Sequence, residues 1–533
     1  MKQTTGLPGT NQSSIFFTIV FVLIFFQFCT KTDTGVVKQT RTDGAVTVVA
    51  NDTYKISAVS NNAQVLALTA QTADDSALVA AQLYSKDSLS HHWRIIKIAS
   101  GTYRISCGYS GKVLASRSIT VVSGEQLIQV WYSNSKNQKW NIVKNSLGQY
   151  RFVNKATGYY MNLEADGKIT QRPNSTAQSQ LWLLNAVSSI YCDADVNGFF
   201  RRTSGWIASD GAPSAQLTDG RVMWMMGDSH INDYNASNKK VFCLFQVRNA
   251  CLLQPASHTW SWTATSTLTG NPLGGFQSYF KNKADDNFWM WAENGIQPAG
   301  NDTLYVYAQG FKKKGTGAFG FANDSFPMFC KVRTSDMKVV EYHYLQDFND
   351  IDFGCGFISE SDGYIYAYGA RQTFIYANVY VARFPAANPN APWTFWDGTG
   401  WNTDVTKVKR VSEGASNSVN VFKLNGKYVC LSSEFSVTCD AGTHLYTAWS
   451  SSLTGTFTTR KIIYQIPDRL QGHTPFFYAP NGHPEFTNSA GELLITYDIN
   501  GYGDCVNTCS GGYMDPDMYR PKGVRVPQGV ILQ

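Results

Sequence analysis

The stretch 209–230, "SDGAPSAQLTDGRVMWMMGDSH", reads as one hairpin. Two strand-like runs, Ala215-Gln216-Leu217 and Val222-Met223-Trp224-Met225-Met226, flank the turn Thr218-Asp219-Gly220. A three-residue loop with glycine in the left-handed position is a common closure for such a pair. It sets residue 217 opposite 221, so facing residues sum to 438, and Asp210 and Asp228 meet the same sum at the open end. Facing β-positions hold their Cβ atoms about 4.5–5.5 Å apart, and like charges there repel. Two close carboxylates resist ionising together, which raises the pKa of one and leaves an acid beside a base. A two-residue loop would send the pair to opposite faces, and Gly211 and Gly227 are able to introduce a bulge. The plain alternative is structural, with Asp210 capping a turn and Asp228 closing a strand end.

The same turn-then-strand unit recurs down the chain. "TDGRVMWMMGD" begins at Thr218, "GNDTLYVYAQG" at Gly300, "SDGYIYAYGAR" at Ser361, "LNGKYVCLSSE" at Leu424 and "SAGELLITYDI" at Ser489. The strands start near 221, 303, 364, 427 and 492, in steps of 82, 61, 63 and 65 residues. Further strand pairs such as "NVYVARFP" and "HLYTAWSS" follow, which is the rhythm of four-stranded propeller blades. Five units predict a five-bladed β-propeller over residues 190–533. Composition agrees with an all-β chain: 14% aromatic, only 16% charged, and 44 glycines in 533 residues.

A different repeat occupies residues 50–187. "DTYKISAVSNNAQVLAL" (52–68), "GTYRISCGYSGKVLAS" (101–116) and "GQYRFVNKATGYYMNL" (148–163) align, with Tyr54, Tyr103 and Tyr150 spaced by 49 and 47 residues. Each unit ends in tryptophan, as "HHW" (91–93), "QKW" (138–140) and "QLW" (180–182). Three short-stranded units predict one closed β-trefoil. This half resembles the ricin-type β-trefoil lectins, whose repeats end in Gln-x-Trp. Those lectins hold sugar through an aspartate in each repeat. Here neither Ala67 nor Ala115 matches it, and Asn162 in the third unit is the remaining candidate for a sugar contact.

The second half also resembles a known family. "GWIASDGAPSAQLTDGRVMWMMGDSH", "YIYAYG", "NVYVARFP", "WTFWDGTGW", "SSLTGTF" and "GHPEF" are similar to a five-bladed propeller family, formerly a domain of unknown function, that includes endo-D-arabinanases. The similarity runs through most of residues 195–505. It implies glycoside hydrolysis of arabinan-type polysaccharide, with Asp210 and Asp228 matching the paired catalytic aspartates of the first blade and His483 matching a recurrent histidine. Two carboxyl groups are what that chemistry requires, one to protonate the leaving oxygen and one to activate water or attack the anomeric carbon. Asp352, Glu413 and Glu434 lie at blade starts or strand ends, where a third carboxylate would sit; as residues alone they are solvated loop acids. Trp206, Trp224 and Trp289 are candidate sugar platforms, with core burial as the alternative use. The rival to an enzyme is a surface glycan-binding protein without catalysis.

The N-terminus reads as an export signal. Residues 15–28 form a mostly apolar run of 14, the length of a signal-peptide core. Cys29 follows it like a lipoprotein acceptor, so residues 1–29 are expected to be a signal, residues 30–49 a tether, and Cys29 a lipidated anchor to the outer membrane. Export implies an oxidising compartment. The mature chain then holds ten cysteines, with Cys505/Cys509, Cys430/Cys439 and Cys243/Cys251 close enough in sequence to pair. Net charge is +6, and the one basic run is Lys312-Lys313-Lys314, so no nucleic-acid partner is expected. "DADVNG" (193–198) resembles the start of a calcium loop, but Ser204 stands where that loop wants glutamate, and an interdomain turn is the preferred reading. No metal or cofactor is expected, and the molecule is expected to be a monomer.

Overall fold

The computed structural model describes residues 49–270, 276–314, 320–323, 326–436, 440–501, 506 and 508–533. The expected signal, the Cys29 anchor and nearly all of the tether lie outside these residues. Within them, β-branched and aromatic runs separated by glycine turns fold into sheets, and the helices run no longer than seven residues.

Six strands of the N-terminal half close into a ring. Asp52–Ala58 pairs with Trp93–Ala99, which pairs with Thr102–Cys107, then Trp140–Lys144, Tyr150–Asn154 and Trp182–Ala186, which returns to Asp52–Ala58. Three hairpins cover one end of this barrel: Gln64–Leu68 with Val79–Leu83, Val113–Ala115 with Ile128–Val130, and Tyr160–Leu163 with Ile169–Arg172. The repeat of the sequence becomes a repeat of contacts. Trp93, Trp140 and Trp182 are fully buried, and their indole N–H groups donate to the carbonyls of Leu66, Leu114 and Met161 at 2.8, 2.9 and 3.3 Å. Truncating any one to alanine would cost about 3–5 kcal/mol. Gln138 accepts from Ser133 N–H and donates to Trp131 O, and Gln180 does the same with Ser175 and Pro173. His91 replaces the first glutamine: its Nδ1 accepts from Ser85 N–H at 3.0 Å, which leaves Nε2–H to donate to Gln82 Oε1. Burial lowers the His91 pKa and keeps this neutral form.

Five sheets of four or more strands form the blades of the C-terminal half, each counted from its innermost strand, and two two-stranded sheets accompany them. These inner strands are Ser214–Gln216, Phe288–Ile296, Asp352–Ser359, Val419–Leu424 and Phe476–His483. The five turn-led strands of the sequence are the second strand in every blade: Val222–Met226, Thr303–Lys313, Tyr364–Thr373, Lys427–Ser433 and Glu492–Asn500. Blade 5 takes its outermost strand from the start of this half, Tyr191–Cys192 against Lys522–Pro527, so first and last segments close one ring. A separate apolar core fills each gap between neighbouring blades.

The barrel docks on blade 5. Arg104 makes a two-pronged contact with Asp195 (2.7 and 2.8 Å), Cys192 N–H donates to Gly108 O, and Tyr109 donates to Pro467 O at 2.9 Å. The residues that resemble a calcium loop serve this junction: Asp193 caps the helix Ala194–Phe200 and accepts from Arg525, and Asn197 pairs with the backbone of Gly523.

The cysteine expectation is corrected. Cys243 bonds to Cys509 rather than to Cys251 or Cys505, because the strand Val241–Phe242 pairs with Tyr513–Met514 and brings the two loops together. Cys251 is a buried thiol in the core between blades 1 and 2, and Cys430 is one between blades 3 and 4, so neither pairs with a sequence neighbour. Cys439 and Cys505 lie outside the described residues.

Candidate active site

Antiparallel pairing places the start of each inner strand and the end of each second strand at one face of the propeller. The hairpin of blade 1 follows the 438 register through Gln216/Val222, Ala215/Met223 and Ser214/Trp224, and Met225 N–H still donates to Pro213 O. It then slips by one residue: Gly227 N–H donates to Asp210 O at 2.7 Å, and Gly211 takes φ +69°. Asp210 therefore faces Gly227, which corrects the direct opposition of the two aspartates. Both acids remain at the same end.

Similar irregularities recur around the channel. Blade 2 shifts register between Ala292 and Asn294, leaving Glu293 as the extra residue; blade 3 shifts between Asp352 and Gly356, and blade 5 between Tyr478 and Asn481. The inner strand of blade 4 runs in unbroken register. Bulges re-aim side chains. Here they collect Asp210, Glu293, Asp352 and Tyr478 at the starts of four inner strands or one bulge inside them.

Asp210 accepts a hydrogen bond from the Tyr478 hydroxyl at 2.7 Å and another from Tyr519. Burial raises its pKa, and the two hydroxyls pull it back by favouring the anion. A Cβ built on Gly227 would run into the Asp210 carboxylate, so only glycine fits there. Asp228, 8% exposed, accepts from Arg248 Nη1 at 3.0 Å and from the Trp291 indole N–H at 3.1 Å. Burial, and then the neighbouring Asp210, push Asp228 up to about 7 against the pull of Arg248 and Trp291. A third acid, Asp498, accepts from Gly211 N–H at 2.7 Å, and burial beside Asp210 pushes it well above the carboxylate range. In blade 2, burial and the nearby Asp352 of blade 3 raise Glu293 in the same direction. A Cβ on Gly354 would collide with the Glu293 carboxyl, so that glycine makes room for it.

The remaining candidates, Trp289 apart, lie elsewhere. His483 is fully buried, with Nδ1 on Ser214 Oγ (2.6 Å), Nε2 on Thr496 Oγ1 (2.9 Å) and its ring against Trp224 (4.9 Å between centroids). It ties blade 5 to blade 1 and has no nitrogen left for a substrate. Trp206 and Trp224 are core residues whose indole N–H groups donate to Ser209 and Gln254. Trp289 lies at the site beneath Arg248, whose guanidinium is 4.2 Å from its ring centroid. Glu413 pairs with Arg410 and Arg460, and Glu434 with His444 and the backbone N–H groups of Thr443 and His444. Asn162, on the third barrel hairpin, donates to Glu164 and accepts from Ser179. Tyr478, Asp498, Glu293, Arg248, Trp291 and Tyr519 went unread in the sequence. The repeat held a clue to Asp498, since it lies near the end of the turn-led strand of blade 5 as Asp228 follows that of blade 1.

Fold and cluster together define an all-β protein in which a five-bladed propeller, preceded by a closed barrel, gathers buried acids at its channel mouth. Residues 193–528 match the family described as "Domain of unknown function (DUF5005)", and the chain belongs to that family. Among solved structures, a "putative hydrolase" from Bacteroides ovatus is similar at 20% identity and TM-score 0.51, covering 63% of this chain and 90% of that one, a likeness of fold. The designed three-fold symmetric protein ThreeFoil is 25% identical over 25% of this chain and 99% of its own, at TM-score 0.25. A Polyporus squamosus lectin is 19% identical over 34% of this chain and 63% of its own, also at TM-score 0.25. No curated protein sequence matches.

Proposed function

We propose that the chain is an exported glycoside hydrolase that cuts arabinofuranosyl linkages inside arabinan-type polysaccharide, as an endo-D-arabinanase does. The observation that carries this reading is a pair of carboxyl groups at one hairpin end, Asp228 buried and Asp210 part-buried, each held by its own hydrogen-bond donors. Asp228, pushed up to about 7, keeps a proton to give to the leaving oxygen. Asp210, held by the Tyr478 and Tyr519 hydroxyls, supplies the anion that activates water or attacks the anomeric carbon. Asp498 accepts the Gly211 N–H, which fixes the slip that aims Asp210.

The barrel is taken as a ricin-type β-trefoil that holds polysaccharide near the propeller, with Asn162 in its sugar site. Such tethering raises local substrate concentration without altering the chemistry. Lipidated Cys29 would fix the molecule to the outer membrane, and the Cys243–Cys509 disulfide suits an oxidising compartment.

The test is release of reducing sugar from D-arabinan, L-arabinan and a plant polysaccharide panel. The wild type is expected to release a ladder of oligosaccharides from D-arabinan. Asp210→Asn and Asp228→Asn are each expected to lose on the order of 10²–10⁴ in rate. Binding of every glycan without release would leave a glycan-binding protein instead. Release that persists in both variants would remove this pair from the reaction.

A further inference from the structure

Among the described residues, six large aromatic side chains are exposed: Phe242, Phe276, Phe326, Tyr344, Phe374 and Tyr376. All six belong to the propeller, and all six fall where the chain turns at one face of it. Phe242 lies in the link from the second to the third strand of blade 1, and Phe276 in the link from blade 1 to the inner strand of blade 2. Phe326 leads into the third strand of blade 2, Met328–Arg333, and Tyr344 ends the fourth, Lys338–Tyr344. Phe374 and Tyr376 turn the chain from the second to the third strand of blade 3. Inner strands start, second strands end, third strands start and fourth strands end at this face, which is the one that holds Asp210 and Asp228. The exposed large apolar side chains of the barrel, by contrast, are all aliphatic. Exposed apolar surface gathered on one face marks a place of contact.

Phe326 and Tyr344, 53% and 45% exposed, border a cleft of about 720 Å³, within the ~300–1,000 Å³ range of ligand sites. The Tyr344 hydroxyl accepts from Asn282 Nδ2 at 3.1 Å, which fixes its ring. The wall also carries Gln309 and three exposed acids, Asp347, Asp350 and Asp352, and no lysine, arginine or histidine. The inner end of the cleft reaches the acid cluster. Gln309 is the cross-strand partner of Trp291, whose indole N–H donates to Asp228, and the Asp352 side chain bonds to that of Glu293. Aromatic faces beside exposed carboxylates suit a sugar chain: the C–H face of a sugar ring packs on an aromatic ring, and its hydroxyl edge donates to carboxylate oxygens. The sign of the wall adds a selection, since three carboxylates without a cation repel a chain that carries carboxylates of its own.

We propose that this cleft carries the polysaccharide from the acid pair toward the rim of blade 2, with sugar rings on Phe326 and Tyr344, and that its acidic wall restricts the substrate to uncharged glycans. The substrate class rests on the glycoside hydrolase reading above and narrows it. The cleft itself rests on its open rings, its acids and its place on the active face.

The probes are a six-residue oligosaccharide of D-arabinan and xylohexaose, both neutral, and oligogalacturonate of the same length, which is anionic. Binding is read by titration calorimetry and cleavage by release of reducing sugar. Phe326→Ala and Tyr344→Ala are each expected to raise Kd and KM for the neutral chain about five- to tenfold, with the loss carried by KM rather than kcat. Phe326→Tyr, which keeps the ring, is expected to restore the wild-type values, and the melting temperature is the control for folding. Oligogalacturonate is expected to bind about tenfold more weakly than the neutral chains at low salt, and to recover when Asp347→Asn and Asp350→Asn are combined. Neutral-chain affinity unchanged in both alanine variants would overturn the cleft, as would oligogalacturonate bound as tightly as the neutral chains. A wild type that binds a neutral chain without cutting it, and less tightly as Phe326→Ala, would keep the cleft and remove the hydrolase reading. Cleavage of D-arabinan with KM unmoved in both alanine variants would do the reverse, and no binding of any probe would remove both.

Discussion

At the scale of single residues, the proposed chemistry depends on Asp228 holding a proton that an ordinary aspartate would have lost. Its folded pKa, about 7, lies above the unfolded value. Its protonated form is therefore the one the fold favours: that stability is fully present below about pH 4 and lost as pH rises through about 7. Two outcomes follow. The rate constant kcat/KM is expected to fall tenfold per pH unit above about 7, measured on D-arabinan across pH 4–9. Asp228→Asn, which carries no charge to desolvate, is expected to melt higher than the wild type at pH 8 and equally at pH 4, as active-site acids often trade stability for function. Tyr478→Phe removes a donor to the Asp210 anion, so the acidic limb of the profile is expected to move to higher pH. Gly227→Ala should displace the Asp210 carboxylate and lose on the order of 10² in kcat, with the melting temperature as control.

At the scale of elements, the sequence carried the periodicities and left the irregularities unread. Strand alternation and turn glycines located the second strand of every blade, because those strands are buried on both faces and read as continuous apolar runs. The three-residue turn likewise gave the right register from Gln216/Val222 back to Ser214/Trp224. The slip beyond it was not decidable, since Gly211 and Gly227 permit either a continuing ladder or a bulge, and the choice is made by Asp498, 287 residues away, which accepts the Gly211 N–H. Glu293 and Tyr478 were missed for a related reason: a bulge turns them, and it follows no period of two. His483 was visible as a residue but not as a blade-to-blade tie, because its partners Ser214 and Thr496 come from two blades. Gly211 also gives a test of the element as a unit. An L side chain at φ +69° costs about 1–2 kcal/mol and crowds the Gly227 backbone. Gly211→Ala is expected to abolish most turnover at a modest loss of melting temperature, which calorimetry and the reducing-sugar assay read side by side.

At the scale of the whole molecule, a propeller must close its ring, and this chain does so with three independent devices between its first and last blades. Tyr191–Cys192 adds the outer strand of blade 5, His483 bridges to Ser214, and Cys243 is joined to Cys509 across 266 residues of sequence. The first two are formed by folding itself, whereas the disulfide constrains the unfolded chain by holding its distant segments together. The other cysteines among the described residues are buried thiols, and burial pushes Cys107 up to about 11 and Cys192 up to about 12, which leaves them poor nucleophiles. Loss of the disulfide, by reductant or by Cys243→Ser with Cys509→Ser, is expected to cost about 2–5 kcal/mol and to lower the melting temperature accordingly. Reductant should then have little further effect on the double variant. Because the strand and the histidine still close the ring, the acid cluster keeps its shape, and activity at 25 °C should stay near that of the wild type. A double variant that melts like the wild type would show that the first two devices suffice; one that is inactive while folded would show that the disulfide also positions the channel mouth.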